Sequence, residues 1–178
     1  LLVDSDPQGS ARDWAAVRED HPLTVVGIDR PTIDRDLKNI ATKDFVIIDG
    51  APQASDLAVS AIKAADLILI PVQPSPYDIW AASDLVDLVQ QRMELTDGEL
   101  QAVFVVSRAI KGTRIGAEVA DALAGYNLPV LEARITQRVS YPTTAAQGTT
   151  VLEGNSNGEA AMEMRALTKE IIDLLKSE

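Results

Sequence analysis

Two aspartates at alternate positions, Asp4 and Asp6, follow the apolar residues Leu1 to Val3 and lead through Pro7-Gln8-Gly9 to Ser10. A third, Asp49, ends the apolar run Phe45-Val46-Ile47-Ile48 and is followed by Gly50, Ala51 and Pro52. Carboxylates fixed at the ends of apolar strands suit a hard cation, because magnesium keeps several of its waters and needs only one or two rigid carboxylates beside phosphate oxygens. Each aspartate alone is equally a turn former, since its short side chain accepts readily from nearby backbone amides. A third strand end, Leu69-Ile70-Pro71-Val72-Gln73-Pro74-Ser75-Pro76-Tyr77-Asp78, is a proline-rich exit into a helix.

Bringing these ends together requires a sheet. Runs rich in β-branched residues at Leu1 to Val3, Thr24 to Ile28, Phe45 to Ile48, Leu67 to Val72, Ala102 to Val106 and Pro129 to Leu131 read as strands. Several are apolar at consecutive positions, the pattern of strands covered on both faces of a parallel sheet. Helical segments lie between them. Ser10 is placed to cap a helix carrying Trp14 and Val17, Pro31 suits the first turn of a short one, and Ser55 precedes another that runs to Ala64. One helix is expected from Pro76 to Met93 and a last one from Glu159 to Lys176, with Gly148 to Gly158 a loop before it. Both tryptophans, Trp14 and Trp80, are expected to pack on helices. This alternation predicts a single α/β domain over residues 1–178, a doubly wound, mostly parallel sheet. In open parallel sheets, ligands bind beyond the carboxyl ends of the strands, where all three motifs fall.

Composition narrows the chemistry. The 178 residues are 46% hydrophobic, and they contain no cysteine and one histidine, His21. That excludes a disulfide scaffold, a thiolate zinc site, a Cys-ligated iron–sulfur cluster, a cysteine nucleophile and a multi-histidine metal centre. His21, before Pro22, reads as a solvated loop residue. The longest apolar stretch, Ala58 to Val72, is interrupted by Lys63 and Asp66, so no membrane span is expected. No secretory signal is legible at the N-terminus, and a cytoplasmic location is the expectation. Sixteen basic against 27 acidic residues give a net charge of −11, which argues against a wholly basic nucleic-acid-binding surface.

Taken in order, the three strand ends resemble the ParA-type partition ATPases, the deviant-Walker group that also includes the MinD cell-division proteins. Asp4-Ser5-Asp6-Pro7-Gln8-Gly9 resembles the family's DxDPQG motif, and Val46 to Pro52 its Walker B strand. Pro71 to Asp78 is similar to the proline-rich adenine-side loop, most closely that of ParF-like plasmid proteins. Val105-Val106-Ser107-Arg108 and Ile135-Thr136-Gln137-Arg138 are similar to further ParF-like segments. The resemblance implies a P-loop NTPase-like fold, ATP and Mg2+ as cofactors, Asp6 as the residue that orients or activates the attacking water, and Asp49 as the magnesium carboxylate. It implies Asp4 as a support of the nucleotide loop, and Pro71, Pro74, Pro76 and Arg108 beside the base or ribose. The family's KGGxGKT loop does not occur in the sequence. The expectation is therefore a domain missing its first βα unit and, as given, inactive as an ATPase.

The implied function is DNA segregation: an ATP-bound homodimer that binds DNA non-specifically, associates with the nucleoid and is reset when a centromere-binding ParB- or ParG-like partner stimulates hydrolysis. The best local candidate for a DNA surface is the stretch from Arg108 to Arg138. There Arg108, Lys111, Arg114, Arg134 and Arg138 outnumber Glu118, Asp121 and Glu132 by two charges; ordinary solvated charges are the competing reading. Two other classes compete. A MinD-like positioning ATPase would end in a basic amphipathic helix, whereas Glu159 to Glu178 carries three basic and five acidic residues. A biosynthetic enzyme of the cobyrinic acid or dethiobiotin type would share the superfamily fold, but the Asp-Pro-Gln turn and compact length favour partition.

Overall fold

The computed structural model describes residues 1–20, 22–40, 44–51, 54–97, 99–110, 119 and 121–176. Among these residues, six strands alternate with helices: β1 (Leu2–Asp4), α1 (Ser10–Ala16), β2 (Val25–Gly27), α2 (Ile33–Ile40), β3 (Ile47–Asp49), α3 (Asp56–Ala64), β4 (Leu67–Val72), α4 (Pro76–Ala81), α5 (Ser83–Leu95), β5 (Gln101–Ala109), β6 (Val130–Thr136), α6 (Ser140–Ala145), α7 (Val151–Gly154) and α8 (Glu159–Leu175). Every strand pairing is parallel. The strands form two three-stranded sheets, ordered β2-β1-β3 and β4-β5-β6.

The second sheet is covered on both faces, as its consecutive apolar residues require. Ile70, Val72, Phe104 and Val106 bury against Val86 and Val89 of α5 on one side. On the other, Val103, Val105 and Leu131 pack against Leu167, with Met164, Ile171 and Leu174 of α8 closing the contact. Phe104 has no exposed surface, and truncating such a side chain costs about 3–5 kcal/mol. The first sheet has a smaller core of Val3, Ile28, Ile33 and Leu37. There the apolar run is not covered throughout, for Phe45 and Ile47 are 58% and 65% exposed. Among the described residues, β3 and β4 each have a strand neighbour on one side only.

Local structure departs from the sequence reading at several helices. Gly9, not Ser10, is the N-cap of α1, in a left-handed conformation (φ 73°). The capping carboxylate comes from the neighbouring strand: Asp4 Oδ2 accepts the Arg12 backbone N–H at 2.8 Å. Ser55 caps α3 as expected, accepting from the Ala58 N–H. The long helix from Pro76 is two helices. Its ladder tightens at Ala82, whose N–H is shared by the carbonyls of Asp78, Ile79 and Trp80, with no proline or glycine to mark the break. Pro31 lies ahead of α2, outside it. The Gly148 to Gly158 segment contains α7, started by a reciprocal capping box between Thr150 and Glu153. His21 lies outside the described residues.

Candidate active site

In the first sheet, parallel register carries the three aspartates to one edge. Asp4 pairs with Asp49 across β1 and β3, and with Gly27 across β1 and β2. Ser5, fully buried, locks that edge: its N–H and its Oγ–H both donate to the Asp49 carbonyl, at 3.0 and 2.7 Å. The chain then turns at Asp6, where Gly9 N–H donates to the Asp6 carbonyl and Gln8 N–H to Asp6 Oδ1, each at 2.9 Å. Asp6 Oδ2 has no protein donor among the described residues, and the side chain is half-buried.

The three carboxylates have different surroundings. Asp4 has no exposed surface; one oxygen is taken by Arg12, and Oδ1 is buried without a hydrogen-bond partner among the described residues. Asp49 reaches solvent at the strand end. Burial of the rest of its carboxyl, together with the negative charges of Asp4 and Asp6, raises its proton affinity above that of an ordinary aspartate. An orphaned buried oxygen beside a carboxylate that resists ionisation is an arrangement short of positive charge. Among the described residues no three acidic or histidine side chains are close enough to chelate a metal directly. The donor set therefore fits a hydrated magnesium ion held by one carboxylate, the regime natural to that cation.

The proline-rich exit lies at the end of β4. Pro74, Ser75 and Pro76 line a cavity of about 490 Å³ whose far wall includes Trp80, Val119 and Tyr126. Pro71 is within β4 and does not line it. Trp80 is 65% exposed, contrary to the expectation that it packs, and forms an edge-to-face pair with Tyr77. Arg108, also outside the cavity lining, is exposed near the end of β5, where the β5–β6 register shifts, and takes a left-handed backbone (φ 51°).

The proposed basic surface divides. Lys111 and Arg114 lie outside the described residues. Arg134 is exposed on β6. Arg138 is engaged: Nη2 is 2.6 Å from Glu163 and Nη1 2.6 Å from Glu159, so its charge is already matched by two carboxylates. Those partners stand one helical turn apart on α8, which no local reading of Arg138 reveals.

Comparison with known proteins gives the arrangement its relatives. A family model described as an AAA domain matches residues 15–102. Maintenance of carboxysome distribution protein A from Halothiobacillus neapolitanus is 28% identical over 178 residues, covering 96% of this chain and 82% of the relative. The chromosome-partitioning ATPase Soj of Thermus thermophilus is 22% identical, covering 97% and 82%. These are the relatives of a ParA/MinD-type Walker ATPase, in line with the resemblance read from the sequence. Its fold is that of septum site-determining MinD from Pyrococcus horikoshii, solved with Mg-ADP: the TM-score is 0.70 at 17% identity, covering 99% of this chain and 84% of MinD. The ParA/MinD type is a group of P-loop ATPases, in agreement with the parallel α/β architecture expected from sequence. Among the described residues, no helix is long and apolar enough to cross a membrane.

Sequence reasoning missed two residues of the site, Ser5 and Arg12. Arg12 had a signal: a cation in the first turn of a helix opposes the helix dipole and calls for a local reason. That reason is Asp4. Ser5 had none, because its role depends on β3 lying beside β1.

Proposed function

We propose that this ParA/MinD-type ATPase hydrolyses ATP to drive the partition of plasmid or chromosomal DNA. The observation that carries the hydrolytic reading is the register of Asp4 with Asp49, which sets Asp6 immediately beyond that pair. Bound magnesium would neutralise phosphate charge and bridge to the nucleotide through its waters, with Asp49 as its carboxylate anchor. Asp6 acts on water: Gln8 fixes one oxygen, and the other accepts the proton of the attacking water or orients it. Asp4 stays buried and keeps α1 and the turn in place. The nucleobase lies on the side of Pro74 and Pro76, with Arg108 as its charged neighbour.

The phosphate cradle in this reading is a KGGxGKT loop, which the 178 residues do not contain. In this reading, a βα unit with such a loop would have the open edges of β3 and β4 to pair with. An ATP-bound homodimer, non-specific DNA and a ParB- or ParG-like partner complete the cycle. A second reading, transport of a protein body in place of DNA, is favoured by the 28% identity over 96% of the chain to the carboxysome distribution protein.

The test is Mg2+-dependent phosphate release from ATP by the full-length protein, with and without DNA and candidate partners. Turnover that requires Mg2+ and rises with a DNA-bound partner supports partition, and turnover stimulated only by a cargo-bound protein supports the second reading. No MgATP turnover under any condition overturns both.

A further inference from the structure

The Arg12 side chain spans more of the site than its salt bridge to Asp4 requires. Besides the backbone N–H that caps α1 onto Asp4 Oδ2, its Nε is 3.4 Å from the same oxygen, and Nη1 is 3.9 Å from Asp29 Oδ2, just beyond β2. The guanidinium lies over two glycines that leave room for it. A Cβ on Gly27, opposite Asp4 in the sheet, would stand 2.8 Å from Nη1 and 2.9 Å from Cδ. A Cβ on Gly9, which ends the Asp6 turn, would stand 3.1 Å from Nη2. One side chain thus pairs with Asp4 at the end of β1, reaches toward Asp29 beyond β2 and occupies the space beside Gly9 and Gly27, and it does so while 40% exposed. Nothing in sheet packing alone demands this, since the first core is closed by Val3, Ile28, Ile33 and Leu37 without it.

We propose that Arg12 is a positioning residue for Asp6, resting on the hydrolytic reading above. Its cation lies against one oxygen of Asp4 and offsets that charge in part. Its guanidinium stands beside the turn that carries Asp6: Asp6 and Gly9 are joined by a backbone hydrogen bond, and the space a Cβ on Gly9 would need is bounded by Arg12. Arg12 acts through that turn and does not act on the reacting atoms. Displacement of a catalytic group by about 1 Å is enough to cost on the order of 100-fold in rate.

The test is steady-state MgATP hydrolysis by the full-length protein, with melting curves to check folding. Arg12→Ala is expected to lower kcat between about 10- and 100-fold while KM changes less than about threefold. Arg12→Lys restores the charge without the planar fork and is expected to fall between the two. Gly27→Ala is the decisive variant, because the three atoms nearest its added methyl group all belong to Arg12. It is expected to lower kcat in the unsubstituted background and to have no further effect in Arg12→Ala, a non-additive cycle that a general loss of stability does not produce. If Arg12→Ala fails to fold, Arg12→Lys and Gly27→Ala alone decide the question through kcat. Normal kcat in these variants, or independent multiplication of the Gly27 and Arg12 effects, overturns the proposal while leaving the hydrolytic reading standing. Absence of turnover by the unsubstituted protein overturns that reading and this proposal with it.

Discussion

Asp4 and Asp49 end neighbouring parallel strands in direct register, one without exposed surface and the other open to solvent, joined through Ser5. Two carboxylates so placed repel each other, and the repulsion is relieved either by a proton on Asp49 or by a cation beside it.

Asp49→Asn removes that repulsion. In the absence of divalent cations, the substituted chain is expected to be equal to or slightly more stable than the parent, by less than about 1 kcal/mol because solvent screens the exposed group. Mg2+ is expected to raise the melting temperature of the parent in the presence of nucleotide and to leave Asp49→Asn unchanged. Scanning both proteins with and without Mg2+ and ATP checks this, and equal Mg2+ responses would take the cation away from Asp49.

Asp6→Ala separates binding from turnover. Among the described residues the hydrogen bonds of Asp6 stay within its own turn, so nucleotide affinity should stay within a few-fold of the parent while kcat falls about 100- to 10,000-fold, the usual range for a lost general base. Nucleotide titration and phosphate release in the same preparation give both numbers. Loss of binding with unchanged turnover per bound nucleotide would exchange the roles given to Asp6 and Asp49.

The strand-end aspartates were legible because parallel register converts a one-dimensional pattern, an apolar run followed by Asp, into a shared edge. Covering of the second sheet by α5 and α8 was legible for the same reason: period-3.6 apolar faces need apolar partners, and Val86, Val89 and Leu167 find them. The rest depended on residues distant in sequence. Arg138 reads as a free cation until α8 brings Glu159 and Glu163 to it. The exposure of Ile47 and Phe45 was hidden because an apolar run announces what a strand can bury, not what is present to cover it. The break at Ala82 has no proline or glycine behind it, and the even apolar spacing through Met93 conceals it.

The helix that carries the Asp6 turn is pinned at its other end by Gly148. That glycine is left-handed (φ 64°), and a Cβ there would stand 2.9 Å from Val17 Cβ and 3.1 Å from the Trp14 carbonyl, while Trp14 Nε1 donates to the Thr149 carbonyl at 3.2 Å. Gly148→Ala is expected to destabilise by about 2 kcal/mol or more, from backbone strain together with the clash. Gly125→Ala, with no atom within 4 Å of its added methyl, is the control and should change stability by less than about 1 kcal/mol. Urea unfolding of the two variants measures both; similar midpoints would remove Gly148 as an anchor of α1.

Glu163 gives the second sheet a pH dependence of definite sign. Burial opposes its ionisation, but hydrogen bonds from Arg138 and Thr136 outweigh burial and hold its carboxyl below the ordinary glutamate range. A lowered folded value means that the stabilisation is complete above the ordinary range and is lost as pH falls through the lowered one. Glu163→Gln should cost about 1–3 kcal/mol at neutral pH, with the gap to the parent closing in acid. Denaturation midpoints at a series of pH values test this, and a pH-independent gap would assign the cost to packing instead.

The same ion triad separates the two described arginines of the candidate basic surface, Arg134 and Arg138. A guanidinium clasped by Glu159 and Glu163 presents an approaching phosphate with a net negative cluster, and freeing it means breaking contacts of 2.6 Å to each carboxylate. Arg134 makes no such commitment: it is exposed on β6, and its removal should leave stability within about 0.5 kcal/mol. If DNA binds this face of the ATP-bound full-length protein, Arg134→Ala should weaken it at low salt and reduce the salt slope by about one. Arg138→Ala should instead lower the melting temperature first, because it strands Glu163, whose side chain is 18% exposed, without its cation. DNA titrations across salt concentration, paired with melting curves for each variant, separate the two. Weakened DNA binding by a fully stable Arg138→Ala protein would show that the triad opens to release its arginine; unchanged binding by Arg134→Ala would move the DNA surface off β6.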